Sequence, residues 1–108
     1  MRAILCRDWG GPDALEFSEV PSPAMQPGHV HVRVRAAGIN FADTLMVSGK
    51  YQVKPPLPFI PGLEIAGEIL AVAPDVTTLK PGQRVLAFFP GRLHSQAAIF
   101  SRRAILHA

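Results

Sequence analysis

Residues 57–72 read LPFIPGLEIAGEILAV and carry the clearest structural pattern of the chain. The prolines at the start of this stretch fix φ and exclude regular helix. Pro61 followed by Gly62 predicts a turn, because proline presets one corner and glycine tolerates a positive φ at the next. The apolar run 63–72 is too short to cross a membrane and is rich in branched side chains, which favours a buried strand. Gly67 within it indicates that another backbone or a ligand approaches closely there.

Short strands separated by turns are predicted over most of the remaining sequence. The clearest alternation is HVHVRVRA at residues 29–36, where the valines share one face and the histidines and arginines share the other. In residues 15–20, Leu15 and Phe17 share one face, as in a half-buried strand. The final segment 93–108 fits either two strands or one helix capped by Ser95, and we predict strands. The predicted strands cover residues 2–8, 15–20, 29–36, 63–72, 83–89, 97–100 and 104–106.

Residues 36–51, which read AAGINFADTLMVSGKY, predict one short helix. Asn40 is placed to cap its N-terminus, and Asp43 adds negative charge to the first turn. Gly49 fits the end of the helix. Six or seven short strands with one short helix predict an all-β domain, either a barrel or a sandwich.

The composition is that of one globular domain. The 108 residues suffice for one hydrophobic core but not for two. A hydrophobic fraction of 48% favours a packed domain over disorder, and nine glycines and eleven prolines favour short strands with tight turns over long helices. Because the net charge of +3 comes from scattered cations, nucleic-acid binding is not favoured.

Cys6 is the only cysteine of the sequence, so neither an intrachain disulfide nor a thiolate cage for a structural metal can form. A small buried hydrophobe is the preferred interpretation of Cys6 over a reactive thiol. His29 and His31 share a strand face and could chelate a metal, but no third ligand is near them and a solvated face is preferred. With no secretion signal and no membrane-length apolar run, we expect a cytoplasmic protein.

Three segments occur in an order that resembles a known family. They read AAGINFADTLMVSGKY (36–51), LPFIPGLEIAGEILAVAPDV (57–76) and LKPGQRVLAF (79–88). From Arg2 to Leu106 the chain resembles the N-terminal domain of the medium-chain dehydrogenase/reductase superfamily, and within it the zinc-independent quinone oxidoreductases. The resemblance implies a GroES-like, partly open β-barrel over residues 1–108. In the family this domain is followed by a Rossmann domain that binds NADPH.

The resemblance also bears on zinc. Alcohol dehydrogenases of the superfamily have a cysteine ligand where this chain has Asn40, and a histidine ligand where it has Leu63. An amide and a leucine cannot supply the thiolate and the imidazole, and Glu64 alone does not hold the ion. The four-cysteine lobe for structural zinc is missing as well. We therefore expect no metal site.

The resemblance implies four residues at the substrate and cofactor cleft, namely Asn40, Asp43, Leu45 and Tyr51. An amide such as that of Asn40 can donate to a carbonyl oxygen that gains charge during hydride transfer. Helix capping is the alternative for Asn40, and both roles can coexist. For Tyr51 the alternative is an aromatic ring that covers the barrel mouth. For Asp43 a first-turn charge is preferred, and Leu45 replaces a more polar residue of many relatives.

The motif Pro-Gly-x-Glu-x-x-Gly is formed by Pro61, Gly62, Glu64 and Gly67, and we assign it a structural role. Glu64 is interpreted as a buried, hydrogen-bonded structural acid rather than a catalyst. No glycine-rich phosphate loop between a strand and a helix occurs in the sequence, so nothing in it is predicted to bind the pyrophosphate of a dinucleotide.

Together these features predict the substrate-side portion of an NADPH-dependent quinone or enone oxidoreductase that lacks its Rossmann cofactor domain and is inactive alone. The expected partner is a small quinone or enone, with no nucleic acid and no membrane. The alternative is a non-catalytic β-barrel module that self-associates or docks to a partner through the apolar stretch 97–106.

Overall fold

The computed structural model describes residues 1–88, 97–99 and 105–107, the last two as backbone only. The strands are β1 (Arg2–Cys6), β2 (Leu15–Glu19), β3 (Val30–Gly38), β4 (Glu64–Val72), β5 (Arg84–Phe88), β6 (Ala97–Ile99) and β7 (Ile105–His107). The α-helix is α1 (Phe41–Val47), and a single 3₁₀ turn covers Pro12–Ala14. All the predicted strands and the predicted helix are therefore confirmed. In the final segment, the described residues form two strands, as predicted.

Five strands form an antiparallel sheet in the order β6-β3-β4-β5-β7, and β1 and β2 form a separate antiparallel pair. The strand predicted from residues 63–72 is β4, which lies at the centre of the large sheet and pairs with both β3 and β5. An isolated bridge from Cys6 to Phe59 links β1 to the loop before β4. Over the described residues the two sheets do not join into a closed ring. The predicted mainly β fold is confirmed.

The main core lies on one face of the five-stranded sheet. Alternation along each strand places every second side chain on this face. The three valines of β3 share it as predicted, although Val34 is less buried than the other two. Removing these side chains from water is the main favourable term that holds the sheet together. The buried members are Val30, Val32, Ile65, Ile69, Val85 and Ala87.

A second apolar cluster joins α1 to β1 and to the loop before β4. The helix contributes Met46 and Val47, which are almost fully buried. Because an isolated helix of seven residues is not stable in water, this packing holds α1 in place. The buried members of the cluster are Cys6, Met46, Val47, Phe59 and Leu63. The ring of Trp9 packs on that of Phe59, with centroids 5.6 Å apart.

Gly67 lies where β3 and β4 approach each other closely. The pairing register shifts on β3 so that Arg35 is bulged out opposite this part of β4. A Cβ atom on Gly67 would collide with the carbonyl oxygen of Arg33 and would lie 2.7 Å from Val32 Cγ1. The predicted close approach of another backbone at Gly67 is therefore confirmed.

Two glycines adopt the positive φ angles that the sequence predicts. Gly62 has a φ of 129° at the entrance to β4, and Gly49 has a φ of 69° after the last turn of α1. The N–H of Gly49 donates to the Met46 carbonyl oxygen at 3.1 Å, which ends the helix.

Two predictions about strand faces are wrong. Phe17 of β2 is 68% exposed instead of facing a core, and its cross-strand partner Ile4 is 39% exposed. The reason is that β1 and β2 form a two-stranded unit, and no described element covers this face. His31 of β3 is half-buried rather than solvated, since β6 pairs alongside it. Its Nε2 atom is buried without a hydrogen-bond partner among the described residues.

Candidate functional site

Three strands meet at one end of the large sheet. The pairing register places Gly38, the last residue of β3, and Phe88, the last of β5, on either side of Glu64, the first residue of β4. Asn40 follows Gly38 by two residues and precedes α1. The antiparallel pairing thus brings the glutamate of the Pro-Gly-x-Glu motif and the predicted helix start to the same end of the sheet.

Asn40 occupies the N-cap position of α1, with an extended backbone of φ −118° and ψ 160°. Its backbone N–H donates to Asp43 Oδ2 at 2.8 Å, and the backbone N–H of Asp43 donates to the Asn40 carbonyl oxygen at 3.0 Å. These two bonds close the first turn and satisfy groups that a helix start otherwise leaves unpaired. The predicted capping position of Asn40 is confirmed.

Asp43 is buried, with only 8% of its surface exposed. It was predicted as a negative charge in the first turn of the helix, and it does lie there. Its role is more specific than a general interaction with the helix dipole, since Oδ2 accepts the N-cap N–H. Asp43 therefore fixes the backbone of Asn40.

Two polar atoms of this helix start are buried and have no hydrogen-bond partner among the described residues. They are Asn40 Nδ2 and Asp43 Oδ1. A buried polar group that has no partner at all destabilises a protein by roughly 1–3 kcal/mol, so most such groups bond to protein, water or a ligand. Asn40 as a whole is half-buried. Among the described residues, no acceptor bonds to the Nδ2 donor of Asn40.

Tyr51 and Leu45, the other two predicted cleft residues, are both half-buried. Tyr51 packs against the second apolar cluster, of which Leu63, the neighbour of Glu64, is a member. The carbonyl oxygen of Leu45 accepts the N–H of Lys50 at 2.8 Å, which turns the chain back after α1. The structure thus places Tyr51 on the second apolar cluster, without a described bond to Asn40.

Glu64 crosses over Gly38. A Cβ atom on Gly38 would collide with Glu64 Oε1 and would lie 2.7 Å from its Cγ and Cδ atoms. Glu64 is half-buried, and no described residue hydrogen-bonds its carboxylate. Glu64 is thus less buried than predicted, and its predicted hydrogen bond stays a prediction. The absence of a side chain on Gly38 is what allows Glu64 to lie against it.

Two residues that flank Asn40 were missed from the sequence. Ile39 is 89% exposed and Phe41 is 77% exposed, which is unusual for large apolar side chains. A signal was present, because Ala42 and Met46 are four positions apart and define the inward stripe of α1. Phe41 lies outside this stripe, so it cannot reach the core.

The described residues do not form a metal site, since no three His, Cys, Asp or Glu side chains among them come close enough to hold an ion. Leu63, which the resemblance aligns with a zinc ligand, is buried in the second apolar cluster. The residues do not fit NADPH by themselves either. The helix start at Asn40 is not preceded by a glycine-rich loop, and α1 has only seven residues.

Comparison with known proteins identifies the family. The family described as alcohol dehydrogenase GroES-like domain matches residues 26–101. The chain belongs to this family. The matched range contains β3, α1, β4 and β5, which are the elements that build the sheet end around Asn40.

Relatives of this GroES-like domain include named quinone oxidoreductases. Quinone oxidoreductase-like protein 2 of Rattus norvegicus is 44% identical over 96 residues, which cover 89% of this chain and 26% of that protein. A quinone oxidoreductase of Pseudomonas syringae pv. tomato DC3000 gives a TM-score of 0.86 at 35% identity, over 99% of this chain and 33% of that one. The quinone oxidoreductase of Thermus thermophilus, also solved in complex with NADPH, gives a TM-score of 0.74 at 35% identity. The match covers 94% of this chain and 30% of that one.

The predicted resemblance to the quinone oxidoreductase branch of the medium-chain dehydrogenase/reductase superfamily is therefore confirmed. The chain spans about a quarter of the length of the curated relatives it matches. A search of the described residues for a helix long and apolar enough to cross a membrane finds none.

Proposed function

We propose that this domain is the substrate-side part of an NADPH-dependent quinone or enone oxidoreductase. Its relationship to quinone oxidoreductases supports the class of reaction. The observation that carries the proposal is the buried Nδ2 atom of Asn40, which has no described hydrogen-bond partner. An unpaired amide N–H at a helix start can donate a hydrogen bond to the carbonyl oxygen of a substrate.

Reduction of a quinone or of an α,β-unsaturated ketone places negative charge on a carbonyl oxygen. A fixed N–H donor binds that oxygen more strongly as the charge develops, so it lowers the barrier. Asn40 suits this role because the 2.8 Å bond to Asp43 Oδ2 fixes its backbone before substrate arrives. Tyr51 is proposed to cover the ring of the acceptor from the side of the second apolar cluster.

The reductant in this proposal is NADPH held by a part of the protein outside residues 1–108. The relative from Thermus thermophilus, which was solved with NADPH, supports this choice. Residues 1–108 do not fit the pyrophosphate, so this portion alone is expected to be inactive. The reaction is proposed to be independent of zinc, because Asn40 and Leu63 replace the cysteine and histidine that would bind the ion. It is proposed to take place in the cytoplasm.

The test compares Asn40 with a matched polar residue of the same helix. The longest reading frame that contains these residues is expressed, and NADPH oxidation is measured with 2,3-dimethyl-1,4-naphthoquinone. We expect N40A to lower kcat/KM about 100-fold, the effect of removing one donor to a developing oxyanion. T44V removes a hydroxyl that bonds the Phe41 carbonyl oxygen at 2.6 Å, and should leave kcat/KM within a small factor of the wild type. Equal kcat/KM in N40A and wild type would exclude the proposed role of Asn40.

A non-catalytic interaction module is the second candidate. One observation favours it: β6 and β7 form the two edges of the five-stranded sheet. Edge strands with apolar residues can pair with another chain, although strands of three residues are short for this purpose. Light scattering at increasing protein concentration tests this candidate. A constant monomer mass would count against self-association, and a concentration-dependent dimer would support it.

A further inference from the structure

The indole ring of Trp9 lies against the turn that follows α1. A Cβ atom added to Gly49 would lie 3.3 Å from both Cγ and Cδ2 of Trp9, so the ring occupies the space that a side chain would take there. The same ring packs on that of Phe59, with the two planes tilted by 41°. Phe59 is itself fixed, because its backbone exchanges hydrogen bonds of 2.8 and 3.0 Å with Cys6 of β1. Trp9 therefore links the end of α1 to a fixed point of the loop before β4.

The loop that carries Trp9 also holds the end of α1 through its backbone. The N–H of Gly11 donates to the carbonyl oxygen of Val47, the last residue of α1, at 3.3 Å. The Cys6 thiol, at the end of β1, approaches the same carbonyl oxygen at 3.9 Å. A helix of seven residues is not stable by itself in water, so its position depends on such contacts. The small sheet of β1 and β2 thus helps to place α1, through the loop that joins its two strands.

The turn on which Trp9 lies leads directly to Tyr51. Gly49 has a φ of 69°, a conformation that glycine adopts without strain. The N–H of Lys50 donates to the Leu45 carbonyl oxygen at 2.8 Å, which fixes the residue immediately before Tyr51. Tyr51 then packs against the second apolar cluster. Its ring is therefore held by this turn and by the cluster, and Trp9 contacts both.

We propose that Trp9 is a positioning residue, which fixes the turn at Gly49 and thereby the ring of Tyr51 for contact with the acceptor. This inference rests on the proposed function, since it takes Tyr51 as the residue that covers the acceptor ring. Trp9 acts through Tyr51 and does not itself contact the acceptor. Without the indole ring, Tyr51 is ordered only when the acceptor binds, and the entropy lost at that step weakens binding. The small β1–β2 sheet thereby acquires a role at the substrate site.

The first test uses the fact that Tyr51 is the only tyrosine of the 108-residue chain. Incorporation of fluorotyrosine therefore labels a single residue for fluorine NMR. We expect W9L, which keeps an apolar side chain but removes the ring, to move this signal toward its position in the urea-unfolded chain. G49A should also move the signal, because the added methyl group meets the indole ring. G49A tests the contact from the glycine side and does not depend on the folding of W9L.

Two matched controls belong to this test. F17L removes an aromatic ring from the same small sheet, at a residue that is 68% exposed. G82A places alanine at a φ of 88°, where no other atom lies within 4 Å of the added carbon. G82A thus reproduces the backbone strain of G49A without a contact to an aromatic ring. Both controls should leave the fluorine signal of Tyr51 in place.

The second test is kinetic and separates positioning from a loss of folded protein. NADPH oxidation with 2,3-dimethyl-1,4-naphthoquinone is measured in the longest reading frame that contains these residues. W9L should raise the KM for the quinone about 5-fold at unchanged kcat, which corresponds to immobilising one side chain on binding. In a Y51L background, W9L should have no further effect on KM. W9F, which retains a ring over Gly49, should restore most of the wild-type KM, and F17L should not change it.

The inference and the proposed function fail in different ways. A fluorine signal of Tyr51 that is the same in W9L, G49A and the wild type would overturn the inference. So would a W9L effect on KM that is equally large in the wild-type and Y51L backgrounds, because Trp9 would then not act through Tyr51. If instead N40A and Y51L both match the wild type in kcat and KM, the proposed function is overturned, and with it the role of Trp9 toward an acceptor. The fluorine signal of W9L still decides in that case whether Trp9 positions Tyr51.

Discussion

Substitution of Gly67 by alanine tests whether β3 and β4 are as close as the structure places them. The added methyl group would collide with the carbonyl oxygen of Arg33 and lie 2.7 Å from Val32 Cγ1. Arg33 is paired with Glu68 in the ladder between the two strands. Its carbonyl cannot move aside without disturbing that ladder, unlike the end of a flexible side chain.

The expected loss of stability follows from two opposing effects. Forcing one extra carbon into a packed region destabilises a protein by about 1–3 kcal/mol, and a backbone neighbour favours the upper part of that range. Alanine loses less conformational freedom than glycine on folding, which offsets about 0.5–1 kcal/mol. The net loss is therefore about 1–2.5 kcal/mol, or a fall in Tm of roughly 4–20 °C for a domain of this size.

Urea unfolding followed by circular dichroism and Trp9 fluorescence measures this effect, and the m-value checks that the transition stays two-state. Gly82 supplies the matched control. Gly82 has a φ of 88°, and a Cβ atom added to it would meet no other atom within 4 Å. Alanine at this position is therefore destabilising only through its unfavourable backbone conformation. At Gly67, serine should be worse than alanine because it is larger, whereas at Gly82 the two should be equal.

A G67A variant within about 0.5 kcal/mol of the wild type, with an unchanged m-value, would refute this reasoning, since that is the range of an uncrowded substitution. So would an equal loss at both glycines with no dependence on side-chain size. Either result would mean that the two strands have more room between them than the structure shows.

Three further changes probe the site and its surroundings. G38A should destabilise the domain by about 1 kcal/mol by displacing the Glu64 side chain, and the double variant G38A/E64A should recover most of this, which a double-mutant cycle in urea measures. D43A should lower the free energy of unfolding by about 1–2 kcal/mol through loss of the bond to the Asn40 N–H, and D43N by less because it retains an acceptor oxygen. Burial, assisted by the nearby charge of Asp8, raises the pKa of the Cys6 thiol, so the folded state disfavours the thiolate. The stability that this contributes is fully present below the ordinary thiol pKa of about 8.5 and is lost at higher pH, so wild type should lose stability more steeply than C6A above that pH.

Much of this fold was predictable because its signals are local. The valines of β3 and the apolar run of β4 define strand faces through a period of two, and Gly62 marks the turn just before β4. Asn40 was predictable as an N-cap from its position before an apolar helical stripe. These features are set by residues a few positions apart in the sequence, so they do not depend on contacts between distant segments.

The errors share one cause. Phe17 alternates as a core residue does, but nothing described covers its face of the β1–β2 pair. His31 alternates with the valines of β3 as a solvated residue does, but β6 pairs alongside it and leaves it half-buried. Burial depends on which elements pack against each other, and this information is not contained in the local pattern.

The strand pattern, the position of the helix and the family are properties that the order of residues expresses without a structure. The arrangement at the sheet end is different, because Gly38, Glu64 and Phe88 are far apart in the chain and meet only through antiparallel pairing. The orphaned amide of Asn40 and the exposure of Ile39 and Phe41 likewise depend on what surrounds them in space. Hydrogen-bond satisfaction and solvent exposure are relations between distant segments, so only the packed chain defines them.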